Sequence, residues 1–160
     1  MNPNKYIFLF LAVIIFSCKE KDIAPRYYSN SKAVQLFKES KKANNDPLKT
    51  ILLEKALEEI ISEEDTIKPF IYDHLIYYNN KLRNYEQSLF YANALIENSS
   101  EIQDTAKLAL GYYRKAMVQK HLDNQLEVLK NLYKSQNLYL TSKDSLNAGK
   151  RLVELGIAQY

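Results

Sequence analysis

One thiol, two imidazoles and a set of carboxylates are the side chains that could do covalent, acid–base or metal chemistry in this chain. The thiol is Cys18, and the imidazoles are His74 and His121, far apart in sequence. A zinc site needs three or four Cys or His ligands at short spacings, which this set does not supply, and a lone cysteine excludes an intramolecular disulfide. No serine or cysteine is matched with a base, no glycine-rich phosphate loop is present, and three glycines leave little material for tight active-site turns. The carboxylates fall in runs such as Glu58-Glu59 and Glu63-Glu64-Asp65, the pattern of a solvated face. The inventory argues against an enzyme, implies no metal and no cofactor, and leaves binding as the expected work. Nucleic acid is an unsuitable partner, because a net charge of +3 is small and evenly spread where phosphate recognition needs a clustered basic face.

The elements that must position a binding surface recur. Asn44, Asn84 and Asn124 stand 40 residues apart in polar breaks between stretches of helical periodicity, and Ile76, Ala116 and Gly156 share that register. Asp65-Thr66, Asp104-Thr105 and Asp144-Ser145 form a second set, whose side-chain oxygens suit a helix start. With 46% hydrophobic residues and only four prolines, 160 residues fit one all-α domain. The expected helices run over 31–43, from a cap at Asp46 with Pro47 in the first turn to Ile61, then over 66–82, 85–97, 105–122, 124–140 and 145–160. The second should be mostly covered, through Leu48, Ile51, Leu52, Ala56, Leu57, Ile60 and Ile61. Leu126, Leu129, Leu132 and Tyr133 continue the buried stripe in the sixth. Hairpins that each expose an apolar face must stack to bury it, so the fold expected over 31–160 is an α-solenoid of antiparallel helical hairpins, three repeats plus a fourth first helix.

At the N-terminus, Lys5, the apolar run Tyr6 to Phe16, and Ser17-Cys18 have the three parts of an export signal. An apolar core of this length falls short of the roughly 20 residues a spanning helix needs. Ile15-Phe16-Ser17-Cys18 resembles the lipobox of bacterial lipoproteins. The resemblance implies a signal peptide over 1–17, lipidation at Cys18, a polar tether over 18–30 containing Pro25, and a protein held at a membrane face outside the cytoplasm.

The repeats resemble the tetratricopeptide family, in the long-period form found in bacteria. Leu155-Gly156 matches its first-helix pair, Arg83-Asn84-Tyr85-Glu86 its turn, and Ser88 and Ala92 its small second-helix residues; Lys115-Ala116 and Asp123-Asn124-Gln125 match in part. The resemblance implies a concave face lined by first helices, with a ligand groove of Phe37, Lys41, Asp73, Tyr77, Asn80, Lys81, Tyr113, Met117, Lys120 and His121. In it Phe37, Tyr77, Met117 and Ile157 would form an apolar column, and Lys41, Lys81 and His121 a polar, mostly basic one. An apolar strip beside ammonium groups suits a peptide or helix that brings bulky side chains and carboxylates. Lys41, Lys81 and Lys120 are expected to raise affinity for an acidic segment, while His74 is read as interhelical packing. The expected function is a non-enzymatic protein-interaction module, lipid-anchored at the envelope. The alternative is the exported sensing part of a longer regulator, because the sequence stops within a unit and Leu152, Leu155 and Ile157 would lack a covering helix. On the first reading that open face predicts a homodimer.

Overall fold

The computed structural model describes residues 30–62 and 65–159. The export signal over 1–17, Cys18, the tether up to residue 29, the Glu63-Glu64 pair and Tyr160 lie outside the described residues. Those described form seven helices and no strand: α1 (Ser31–Lys42), α2 (Asp46–Glu58), α3 (Lys68–Lys81), α4 (Tyr85–Glu101), α5 (Thr105–Lys120), α6 (Gln125–Thr141) and α7 (Ser145–Ala158). Each packs on the next in chain order, and the first helices α3 and α5 also touch, which is the stacking of a helical-repeat solenoid.

Local chemistry places most of the boundaries. Asp104 accepts from the Lys107 N–H at 2.9 Å and Asp144 from the Asn147 N–H at 3.1 Å, each tying up a donor that the first helical turn leaves free. Asp65 departs from that pattern. Its Oδ1 accepts from the N–H of Ile67, the residue just before α3, and its Oδ2 from the Asn30 N–H at 3.3 Å, so one buried carboxylate joins the starts of α1 and α3. In the first hairpin the cap is Asn45, accepting from the Leu48 N–H at 2.9 Å, rather than Asp46, which begins the helix; the counterpart of Asn84 and Asn124 is therefore Asn45, not Asn44.

A finer period underlies the later part of the chain. Arg83, Gln103, Asp123 and Lys143, each 20 residues after the last, adopt left-handed backbone with φ between 52° and 62°. The following N–H, that of Asn84, Asp104, Asn124 or Asp144, reaches back to the carbonyl of Asn79, Ser99, Gln119 or Tyr139 at 2.8–3.2 Å. This is a Schellman closure with a non-glycine residue in the left-handed place. Every helix from α3 to α6 ends this way, so the turn within a hairpin and the turn between hairpins are built alike.

Packing corrects the expected apolar stripes. In α2 the buried residues are Thr50, Leu53 and Ala56, whereas Leu48 and Ile51 are exposed and Ile61, past the end of the helix, is almost fully so. In α6 they include Val128 and Leu132, while Leu126 and Tyr133 face solvent. Leu155 is buried against Ala116, Val128 and Leu132, so of the three α7 residues expected to lack cover only Leu152 and Ile157 are exposed. Two interfaces are narrow enough for a serine hydroxyl to reach the facing backbone: Ser88 of α4 donates to the Ile76 carbonyl and Ser135 of α6 to the Ala109 carbonyl, at 3.2 and 2.7 Å.

Candidate functional site

Side-chain pairs bridge each gap between the first helices α1, α3, α5 and α7. Between α1 and α3, the Phe37 ring stands edge-on to His74 with centroids 5.1 Å apart. Between α3 and α5, Arg114 grips Asp73 with both arms of its fork, Nε to Oδ1 at 2.6 Å and Nη2 to Oδ2 at 3.2 Å. Between α5 and α7, the Arg151 guanidinium carbon lies 3.3 Å from the centre of the Tyr113 ring. The result is a continuous row of aromatic and charged side chains across the layer. A cleft of about 220 Å³ opens on it, lined by Asp73, His74, Tyr77, Tyr78 and Arg114.

The electrostatics follow from burial. Partial burial pushes the His74 imidazole below its ordinary pKa, while its Nδ1 lies 2.9 Å from the Phe70 carbonyl oxygen. Lys107, over the Phe70 ring at 3.7 Å, is lowered for the same reason. Burial is the largest single influence on Arg114 and acts against its charge, but the hydrogen bond and charge of Asp73, helped by Tyr113 and Tyr139, together outweigh it and the net shift is upward. Among the described residues seven cations sit over aromatic rings: Lys41 on Phe37, Lys49 on Tyr78, Lys81 on Tyr77, Lys107 on Phe70, Lys134 on Tyr112, and Arg114 and Arg151 on Tyr113. Rings already faced by the chain's own cations offer little to a cationic ligand and present N–H donors to an anionic one.

Against that row, the expected groove residues separate. Asp73 and Tyr113 lie in it, and Tyr77, 49% exposed, lines the cleft with its ring edge-on to Tyr78. Phe37 is buried under Lys41 rather than open to a ligand. Met117 is half-buried against the Ala116–Leu155 cluster and Ile157 is exposed, so the apolar column runs from core to solvent instead of forming one strip. The basic column does not form as a free ladder. Lys81 pairs with Asp46 at 2.7 Å, which lowers the Asp46 pKa and raises that of Lys81, and the exposed His121 caps α5 and stacks on Tyr85 at 5.2 Å. Both turn toward the starts of second helices. Asn80 is half-buried with its Oδ1 enclosed and lacking a hydrogen-bond partner, and Lys120 is exposed at the end of α5. Lys107, Arg114 and Arg151 lie off the positions that the repeat register selects, so spacing alone does not mark them.

A larger cleft of about 720 Å³ lies near the hairpin turns, lined by Glu54, Asn79, Arg83, Tyr85 and Leu122 among others. Its Glu54 accepts from the Tyr91 hydroxyl, whose pKa burial pushes up to about 12. Among the described residues no cluster of His, Cys, Asp and Glu could hold a metal ion, and no helix is long and apolar enough to cross a membrane.

Fold and site together define a class: a helical-repeat solenoid whose first helices carry a cation-rich aromatic face. No protein-family model matches the chain, and no curated protein matches it significantly.

Proposed function

We propose that this chain is a tetratricopeptide-like interaction module that binds a peptide or helix on the face of its first helices and has no catalytic role. The observation that carries the reading is the row Phe37–His74, Asp73–Arg114, Tyr113–Arg151, which spans all four first helices beside a half-exposed Tyr77. An extended partner can engage several units at once, with aromatic side chains anchoring it and charges setting its register. Export and a lipid anchor on Cys18 belong to the same proposal, supported by the apolar run and the Ile15-Phe16-Ser17-Cys18 pattern. So does self-association through Leu152, Val153 and Ile157, exposed on α7, which a strictly monomeric mass by light scattering would remove. The binding reading is tested by affinity capture from intact envelope with native chain and with Tyr77→Glu plus Met117→Glu. Both chains should show the same helical circular dichroism, and only the native one should recover a saturable partner. Equal recovery by both would refute the reading.

A further inference from the structure

Asp73 and Tyr113 occupy the same position in successive units, and each meets a guanidinium of the next first helix. At the first gap the charges match, since Asp73 gives two oxygens to the fork of Arg114. At the second a ring replaces the carboxylate. A guanidinium carbon 3.3 Å from the ring centre engages Tyr113 through its flat face. Its N–H donors lie in its own plane, so the stacking itself satisfies none of them. Arg151 is only 7% exposed, its Nε is enclosed with no hydrogen-bond partner, and among the described residues no carboxylate stands within ion-pair distance of it. Stacking offsets part of the cost of burying that charge, and the rest calls for an anion.

We propose that Arg151 and Tyr113 form a carboxylate subsite on the first-helix face, filled by an acidic side chain of the bound partner as Asp73 fills Arg114. The proposal rests on the peptide-binding reading above. Arg114, 5.9 Å from the same ring, lines the 220 Å³ cleft, so the Tyr113 ring lies between the subsite and a residue of that cleft's wall. A carboxylate fits better than a phosphate. Asp73 already neutralises Arg114, so one guanidinium remains to balance one negative charge, and its fork has the spacing of a carboxylate.

The test uses the full chain in detergent micelles, with sodium acetate as probe, and sodium chloride and sodium phosphate at equal ionic strength as comparisons. Acetate at about 0.2 M should raise the thermal midpoint roughly 2–4 °C above chloride, as expected for a ligand that binds only the folded state. It should also move the Arg151 Nε–H resonance saturably. Both effects should vanish in Arg151→Met, which keeps the apolar stem. A larger effect of phosphate than of acetate, an equal midpoint shift in Arg151→Met, or a stationary Arg151 resonance would overturn the subsite. The resonance is read on native chain, so the result stands even if the variant folds poorly. Acetate probes the subsite alone, and a chain that takes acetate while capturing no partner would remove the peptide reading and leave the subsite supported.

Discussion

The first two hairpins and the helices that follow place their apolar side chains differently. From α1 to α4, Phe37, Leu53, Ile67, Ile71, Leu75, Ile76, Tyr91 and Leu95 join in one cluster that reaches Val118 of α5. From α5 to α7 the buried apolar residues divide into two small groups, Ala116–Val128–Leu132–Leu155 and Ala109–Tyr139–Ala148. The same stretch exposes Leu126, Tyr133, Leu140, Leu146, Leu152, Val153 and Ile157. Leu126, Tyr133 and Leu140 stand where α4 has Glu86, Asn93 and Ser100, exposed like them. A shared turn chemistry therefore supports two kinds of packing: a continuous core in the first half, and in the second a thinner interior held also by polar contacts such as Asn131 Nδ2 to Gln119 Oε1 at 3.0 Å.

That contrast breaks most visibly under truncation. Leu75→Ala, at a fully buried site in the continuous cluster, should cost about 3–5 kcal/mol, and Leu155→Ala about 2–3, since a smaller cluster beside exposed residues can relax around the gap. Urea denaturation measures both, and equal losses would remove the distinction. Asp73→Asn comes next. It strips the charge partner from a partly buried guanidinium and should cost about 1–3 kcal/mol after allowing for solvent screening at a pair still 20–28% exposed.

The glycines sharpen the comparison. A Cβ on Gly111 would stand 2.8 Å from the Ile96 side chain and 3.3 Å from its backbone nitrogen, so Gly111→Ala should destabilise by about 1–3 kcal/mol despite alanine's better helix propensity. Gly149 and Gly156 meet nothing within 4 Å, and alanine at either should stabilise by roughly 0.5–1 kcal/mol. Thermal melts should move in opposite directions for α5 and α7.

The smallest effect concerns pH. The folded state lowers the His74 pKa below 6.5, so the unfolded chain takes up the proton first and stability falls as pH drops from about 6.5 toward the folded value. His74→Gln should flatten that part of the stability–pH curve. It should leave the loss below about pH 4.5, where Glu127, Asp46 and Asp144 protonate, all three lowered in the fold by their hydrogen-bond partners.

Caps and turns were legible because they act over three or four residues: Asp104, Asp144, Asn84 and Asn124 each mark a helix start from the sequence alone. The buried faces were less so. Apolar residues surround much of α2 although only part of that surface is covered, and there the fully buried Leu53 stands among exposed Leu48, exposed Ile51 and half-buried Leu52. The site was the least legible part. Asp73 meets Arg114 and Tyr113 meets Arg151 at separations that straddle the 40-residue register, so carrying positions forward by the repeat selects the aspartate and the tyrosine and passes over both arginines.

The central claim is that partners approach the first-helix layer and not the opposite surface. A photo-crosslinking amino acid placed at Tyr77, and separately at Phe90, which is 60% exposed on the second helix α4, tests this in intact cells. Adducts from position 77 with none from position 90 are the predicted outcome; adducts at 90 with none at 77 would contradict it.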